Sequence, residues 1–201
     1  MSLSSETIGK KQSPGLVDSS MTSLVNALET KDPYTAGHSI RVSDLAGKIA
    51  EYRYGLSPEV EEVQIAGKLH DIGKVGTHER ILHKPEKLTE EELNHIKEHA
   101  VIAEKILAPL EKLKSVSRVI RHHHERFDGK GYPDGLAGED IPELSRILAV
   151  ADSYDAMTSA RPYCVAMKAE KAIGEIKKSL GTQFDPKIGK IFIELFATGS
   201  I

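Results

Sequence analysis

The chain has 201 residues, 39% of them hydrophobic and 28% charged, with a formal net charge of -3. That length supports one domain with an extended core, and the charge balance excludes both a disordered chain and a broad surface for coating polymeric nucleic acid. Apolar runs such as Ile147 to Ala151 are only a few residues long, far below the roughly 20 of a membrane helix, so neither a membrane span nor a signal peptide is expected.

Residues 1 to about 18 are rich in Ser, Lys, Gly and Pro and lack helical periodicity, and Met1-Ser2-Leu3 reads as a vector-derived scar. They are set apart from a single domain spanning 19–201, whose start suggests excision from a longer protein with an upstream regulatory domain. From Ser19 the punctuation is helical, with no sustained period-two alternation. The pattern predicts helices at about 19–30, 35–54, 58–72, 89–108, 113–124, 143–159, 168–180 and 186–196. Ser57-Pro58 opens the third, Thr89 with Glu92 caps the fourth, Gly181 closes the seventh and Asp185-Pro186 opens the last. The longest gap, Glu125 to Pro142, holds four glycines and two prolines. A loop of that length is a functional candidate. The fold class is therefore all-α, a bundle of six to eight helices.

All nine histidines lie between His38 and His124. At 100° per residue, Val42, Leu45, Ile49 and Tyr52 form one apolar stripe, and His38 extrapolates to its middle. Val60, Val63 and Gly67 define the next, with His70 and Asp71 at its two edges. Leu93, Ile96, Ala100, Ala103 and Leu107 share a face flanked by His99, while His95 lies further round toward solvent. With Val116, Val119 and Ile120 buried, His123 is central, His124 flanks the face and His122 falls on the far side. Leu144, Ile147, Leu148 and Ala151 share their face with Asp152 and Asp155. His78, His83 and His95 read as surface residues.

A single histidine on an apolar face is usually a hydrogen-bonded core residue. Five histidines together with Asp71, Asp152 and Asp155, all facing inward from five helices, are a different matter. Ionised carboxylates on such a face must be paired or bound to metal, and bundle cores converge such ligands into dinuclear sites. The single cysteine, Cys164, can form no internal disulfide and fits no cysteine zinc spacing, which points to a reducing, cytoplasmic setting.

The order His38, His70-Asp71, Asp152 resembles the ligand series of the HD superfamily of metal-dependent phosphohydrolases. Closer still, Asp32-Pro33-Tyr34-Thr35 through His38-Ser39, His70-Asp71-Ile72-Gly73-Lys74, His122-His123-His124-Glu125-Arg126 through Gly131-Tyr132-Pro133-Asp134-Gly135, and Ala151-Asp152 through Arg161-Pro162-Tyr163 resemble the HD-GYP family. The resemblance covers about residues 24–196, down to Gly181-Thr182-Gln183-Phe184-Asp185-Pro186.

It implies a dinuclear or trinuclear centre, usually of iron or manganese, that hydrolyses cyclic di-GMP. By position, His38, His70, Asp71 and Asp152 would hold one metal and His99, His123 and His124 the second, with Asp71 bridging. Some relatives add a glutamate one turn before the first histidine; Tyr34 stands there, which favours two metals, with iron the first choice. Lys74 matches the lysine beside the reacting phosphate, so Asp71 and Lys74 are the catalytic candidates, and Arg161 matches a phosphate contact. Ala100 and Ala103 replace the usual proline and glycine, and Cys164 replaces a basic residue, which would weaken phosphate binding. The loop from Asp128 to Gly135 reads either as two joined tight turns or as a contact for substrate or for a diguanylate cyclase (GGDEF) partner through Gly131, Tyr132 and Pro133. A homodimer is a further arrangement allowed. Two rival readings are hydrolysis of another nucleotide, such as a hybrid cyclic dinucleotide, and a binding module without turnover.

Overall fold

A computed structural model of the protein describes residues 37–159 and 166–201, together with Ser23 and Val25. The segment 1–18, most of the first predicted helix, Tyr34, Arg161 and Cys164 lie outside the described residues.

Among the described residues the regular elements are helices, apart from a lone bridge between Leu180 and Phe184. In chain order they are α1 (His38–Tyr54), α2 (Pro58–Leu69), a 3-10 turn (Ile72–Gly76), α3 (Glu79–Leu82), α4 (Glu90–Lys97), α5 (His99–Leu107), a short 3-10 turn (Glu111–Leu113), α6 (Lys114–Arg121), another (Gly138–Asp140), α7 (Glu143–Thr158), α8 (Ala169–Lys178) and α9 (Pro186–Ala197). The predicted starts at Pro58, Thr89 and Asp185 hold. Thr89 and Glu92 form a reciprocal capping box, and Asp185 accepts the Lys187 amide N–H at 2.7 Å. None of the helices is long and apolar enough to cross a membrane.

Four expectations are corrected. The helix predicted at 58–72 ends at Leu69, so Asp71 sits between α2 and the 3-10 turn with φ -91° and ψ 1°, the bridge region where active-site residues gather. The helix predicted at 89–108 divides at Glu98 into α4 and α5. Leu93 on α4 is consequently 43% exposed, because α4 lies on the surface rather than in the bundle. Tyr52 is likewise 54% exposed near the end of α1, where its hydroxyl donates to Glu194.

Helices α1, α2 and α7 pack together at the centre. Helix α6 lies against α2, α5 against α6 and the 3-10 turn, and α9 across α1, α7 and α8. The core joins Val42, Ile49, Leu69, Ile120, Ile147 and Phe192. Two glycines set how closely this frame closes. A Cβ on Gly67 would lie 2.6 Å from Ser43 Cα, so α2 and α1 cross nearly backbone to backbone. One on Gly73 would lie 1.8 Å from the His99 carbonyl oxygen, so only glycine lets the 3-10 turn bring Asp71 beside His99.

Candidate metal centre

The close packing of α1, α2, α5 and α7, with the turn that follows α6, brings the inward histidines to one place. His38, His70 and Asp152 form one group with their ligand atoms within 4.8 Å of one another, and His99, His123 and His124 form a second. Asp71 stands between them. Its Oδ2 is 3.6 Å from His70 Nε2 and its Oδ1 is 4.0 Å from His99 Nε2, while Lys74 Nζ donates to Oδ2 at 2.7 Å.

Four imidazoles are oriented in the same manner. His70 Nδ1 donates to the Gly67 carbonyl at 2.8 Å, His99 Nδ1 to Ile96 at 2.7 Å, and His123 Nδ1 to Ile120 at 2.5 Å. His38 Nδ1 donates to Asp155 Oδ2 at 2.7 Å. In the neutral ring each such bond leaves Nε2 as the lone pair, which is how metal-binding histidines are held. Among the described residues, the buried Nε2 atoms of His99 and His123 have no hydrogen-bond partner. An orphaned buried acceptor is costly, and a cation satisfies it. The donor set therefore fits divalent metal.

The electrostatics divide the site. Burial opposes a charge on His38, yet its bonds to Asp152 and Asp155 outweigh that and push it up to about 9. Burial likewise resists ionisation of Asp71 and Asp152, but Lys74 and the histidines hold Asp71 well below the carboxylate range, and His38 with its neighbours does the same for Asp152. In the second group burial lowers His99, His123 and His124, the last to about 3, with the neighbouring histidines adding to the effect. These rings are neutral at neutral pH, the form that ligates.

Asp155 shares the apolar face of α7 with Asp152 but does not join the ligand group. Instead it orients His38, and Arg41 Nε and Nη2 clamp it at 2.6 and 3.0 Å. Arg41 was not anticipated. Its signal lay in the matching i, i+3 pairs His38/Arg41 and Asp152/Asp155 on facing helices.

His122 points away from the centre, as the wheel predicts, but it is 8% exposed rather than solvated. The reason is that α6 ends at Arg121 and the loop after it folds back, so that His122 meets the Arg118 carbonyl and the Asp134 carboxylate, each at 2.9 Å. The tight-turn reading of that loop holds, with Gly129 and Gly135 at φ +76° and +69°. The loop also returns Tyr132 to the site, its ring centroid 4.9 Å from that of His124, with Lys97 Nζ 5.6 Å from the tyrosine ring. His78 is exposed and His83 and His95 are half-buried outside the centre, where His78 and His95 stack with centroids 5.1 Å apart.

The family model for the HD domain matches residues 22–188. This chain belongs to the HD domain family, in its HD-GYP branch. It is 41% identical over 170 residues to the cyclic di-GMP phosphodiesterase response regulator RpfG of Xanthomonas campestris, covering 83% of this chain and 45% of that protein. It is 39% identical over 167 residues to the 3'3'-cGAMP-specific phosphodiesterase 3 of Vibrio cholerae, covering 83% and 36%. The crystal structure of the V. cholerae cyclic GMP-AMP-specific phosphodiesterase V-cGAP3 shares the fold, with a TM-score of 0.70 at 21% identity over 90% of this chain and 48% of that one. The HD-GYP chain spans less than half the length of these relatives.

Proposed function

We propose that the domain hydrolyses the phosphodiester bonds of cyclic di-GMP, to the linear dinucleotide and/or GMP, at a two-metal centre. The observation that carries this is the position of Asp71, with one oxygen toward each ligand group. On this reading His38, His70, Asp71 and Asp152 hold one metal and His99, His123 and His124 the other, with iron the first choice and manganese the second. A mixed imidazole and carboxylate set suits either. Such a pair supplies an activated water nucleophile and Lewis-acid stabilisation of phosphoryl charge.

The remaining work falls to the chain. Asp155, clamped by Arg41, keeps the His38 ring turned toward Asp152. Lys74 fixes Asp71 through Oδ2 and presents a cation at the shared carboxylate, where it meets the charge of an incoming phosphate. Arg161 follows α7 in sequence and serves as a second phosphate contact. The Gly131-Tyr132-Pro133 segment borders the histidine-rich group and takes part in binding the substrate or a diguanylate cyclase partner. The single cysteine supports a cytoplasmic setting.

Cyclic di-GMP is the first choice because RpfG, named for that activity, is 41% identical over 170 residues. The hybrid cyclic dinucleotide is the second reading, favoured by a relative of nearly equal identity whose name is 3'3'-cGAMP-specific. A binding module without turnover has no use for both ligand groups together with Lys74. The test is elemental analysis of anaerobically purified protein, followed by turnover assays with each dinucleotide in iron or manganese. We expect two metals per chain and faster cleavage of cyclic di-GMP. Preference for the hybrid moves the substrate and keeps the chemistry, whereas binding without cleavage of either removes the hydrolase reading.

A further inference from the structure

His124 differs from the other four inward histidines. Among the described residues no hydrogen bond holds its ring, which instead lies against three neighbouring rings: His123 at 3.9 Å and 39°, His99 at 5.0 Å and 75°, and Tyr132 at 4.9 Å and 31°. Of these three only Tyr132 is not itself a candidate ligand. Whatever fixes Tyr132 therefore bears on the orientation of His124.

Tyr132 is held at both ends of its turn. On one side Gly131 lies so close to the preceding chain that a Cβ would come within 2.4 Å of Glu125 Cα and 2.3 Å of Arg126 N. The Tyr132 amide N–H also donates to the His124 carbonyl at 3.3 Å. On the other side the Asp134 and Gly135 amides donate to Glu125 Oε1 at 2.7 and 3.0 Å. The Asp134 carboxylate then takes two N–H groups from Arg121, each at 2.7 Å, and His122 Nε2 at 2.9 Å. Arg121 in turn donates to Glu104 on α5, the helix that begins at His99. The clamp thus ties the loop to the two elements that carry the histidine-rich group. A partly exposed ion pair adds little stability, but a bidentate guanidinium with a third donor fixes orientation.

We infer that Asp134 is a positioning residue for the metal ligand His124, acting through Tyr132. The clamp from Arg121 and His122 does for this one imidazole, by holding a ring against it, what a carbonyl or carboxylate does for the other four. Loss of such outer contacts weakens metal binding by about 10- to 100-fold. The inference rests on reading His99, His123 and His124 as ligands.

The test is titration of the metal-free full chain with manganese(II), followed by calorimetry, on the wild type, Asp134→Ala, Tyr132→Leu and the double variant. Wild type is expected to show two binding events. Asp134→Ala should weaken one of them by about 10- to 100-fold and leave the other in place. Tyr132→Leu should do the same, and the double variant should be no worse than Tyr132→Leu, because both act through one ring. Losses that multiply, or a folded Asp134→Ala that binds both metals as wild type does, overturn the relay. Should Asp134→Ala not fold, Asp134→Asn carries the same test, since it removes the charge and keeps one acceptor for Arg121. Weakening at one site then supports the relay and unchanged affinity overturns it. Absence of two-site binding in wild type removes the ligand reading itself, which separates the two failures.

Discussion

The two candidate ligand groups are built from the same residue type on opposite principles. Around His38 the protein supplies charge: Asp152 and Asp155 both touch the ring, Arg41 braces Asp155, and the imidazole is pushed up to about 9. Around His124 it supplies burial and other neutral rings, and the imidazole is pushed down to about 3. A histidine among carboxylates must lose a proton to bind metal. One among histidines is already neutral. Nominally similar candidate ligands thus differ in what holds them and in what would compete with a cation.

The largest effect should come from the one side chain common to both groups. Asp71→Ala is expected to release metal from each and bring hydrolysis to background, as read by elemental analysis and turnover. Retention of both metals would break the bridging reading. Substitutions confined to one group should then separate the two. His123→Ala or His124→Ala should leave one metal per chain, whereas Asp155→Ala should weaken only the carboxylate-rich group by about 10- to 100-fold, because His38 keeps its place but loses its brace. Lys74→Ala touches the shared carboxylate without being a ligand. Both metals should stay, and turnover should fall by about 10²-fold, with the loss in kcat.

Acid should expose the difference without any substitution. In metal-free protein the raised His38 contributes stability that is complete below its ordinary value of 6.5 and is lost as pH climbs through about 9. The depressed His124 contributes in the opposite sense. Its share is complete above 6.5 and drains away as pH falls toward about 3, with His99 and His123 acting in the same direction. Melting temperature should therefore fall on both sides of about pH 6.5, and His124→Gln should flatten the acid limb alone. The smallest effect belongs to His122→Ala. It deletes one contact to Asp134 while Arg121 keeps two, so both metals should remain and stability should fall by about 1 kcal/mol in a denaturant melt.

The sequence alone determined which faces turn inward. Helical periodicity is local, so His38, His70, His99 and Asp152 could be placed on apolar stripes without knowing what lay opposite, and local capping chemistry marked the starts at Thr89 and Asp185. Periodicity failed where the helix itself stopped. Asp71 gained its position from the end of α2 at Leu69 and the glycine that lets the next turn touch α5. His122 was covered because the chain beyond Arg121 folds back over it. Only the tertiary structure decided that Asp155 braces His38 rather than joining its group, and that the loop carrying Tyr132, eight residues after His124, returns to the ring it follows. The physical reason is range: side-chain direction on a helix is set by its own backbone, whereas hydrogen-bond partners, burial and proton affinity depend on what other segments bring within a few ångströms.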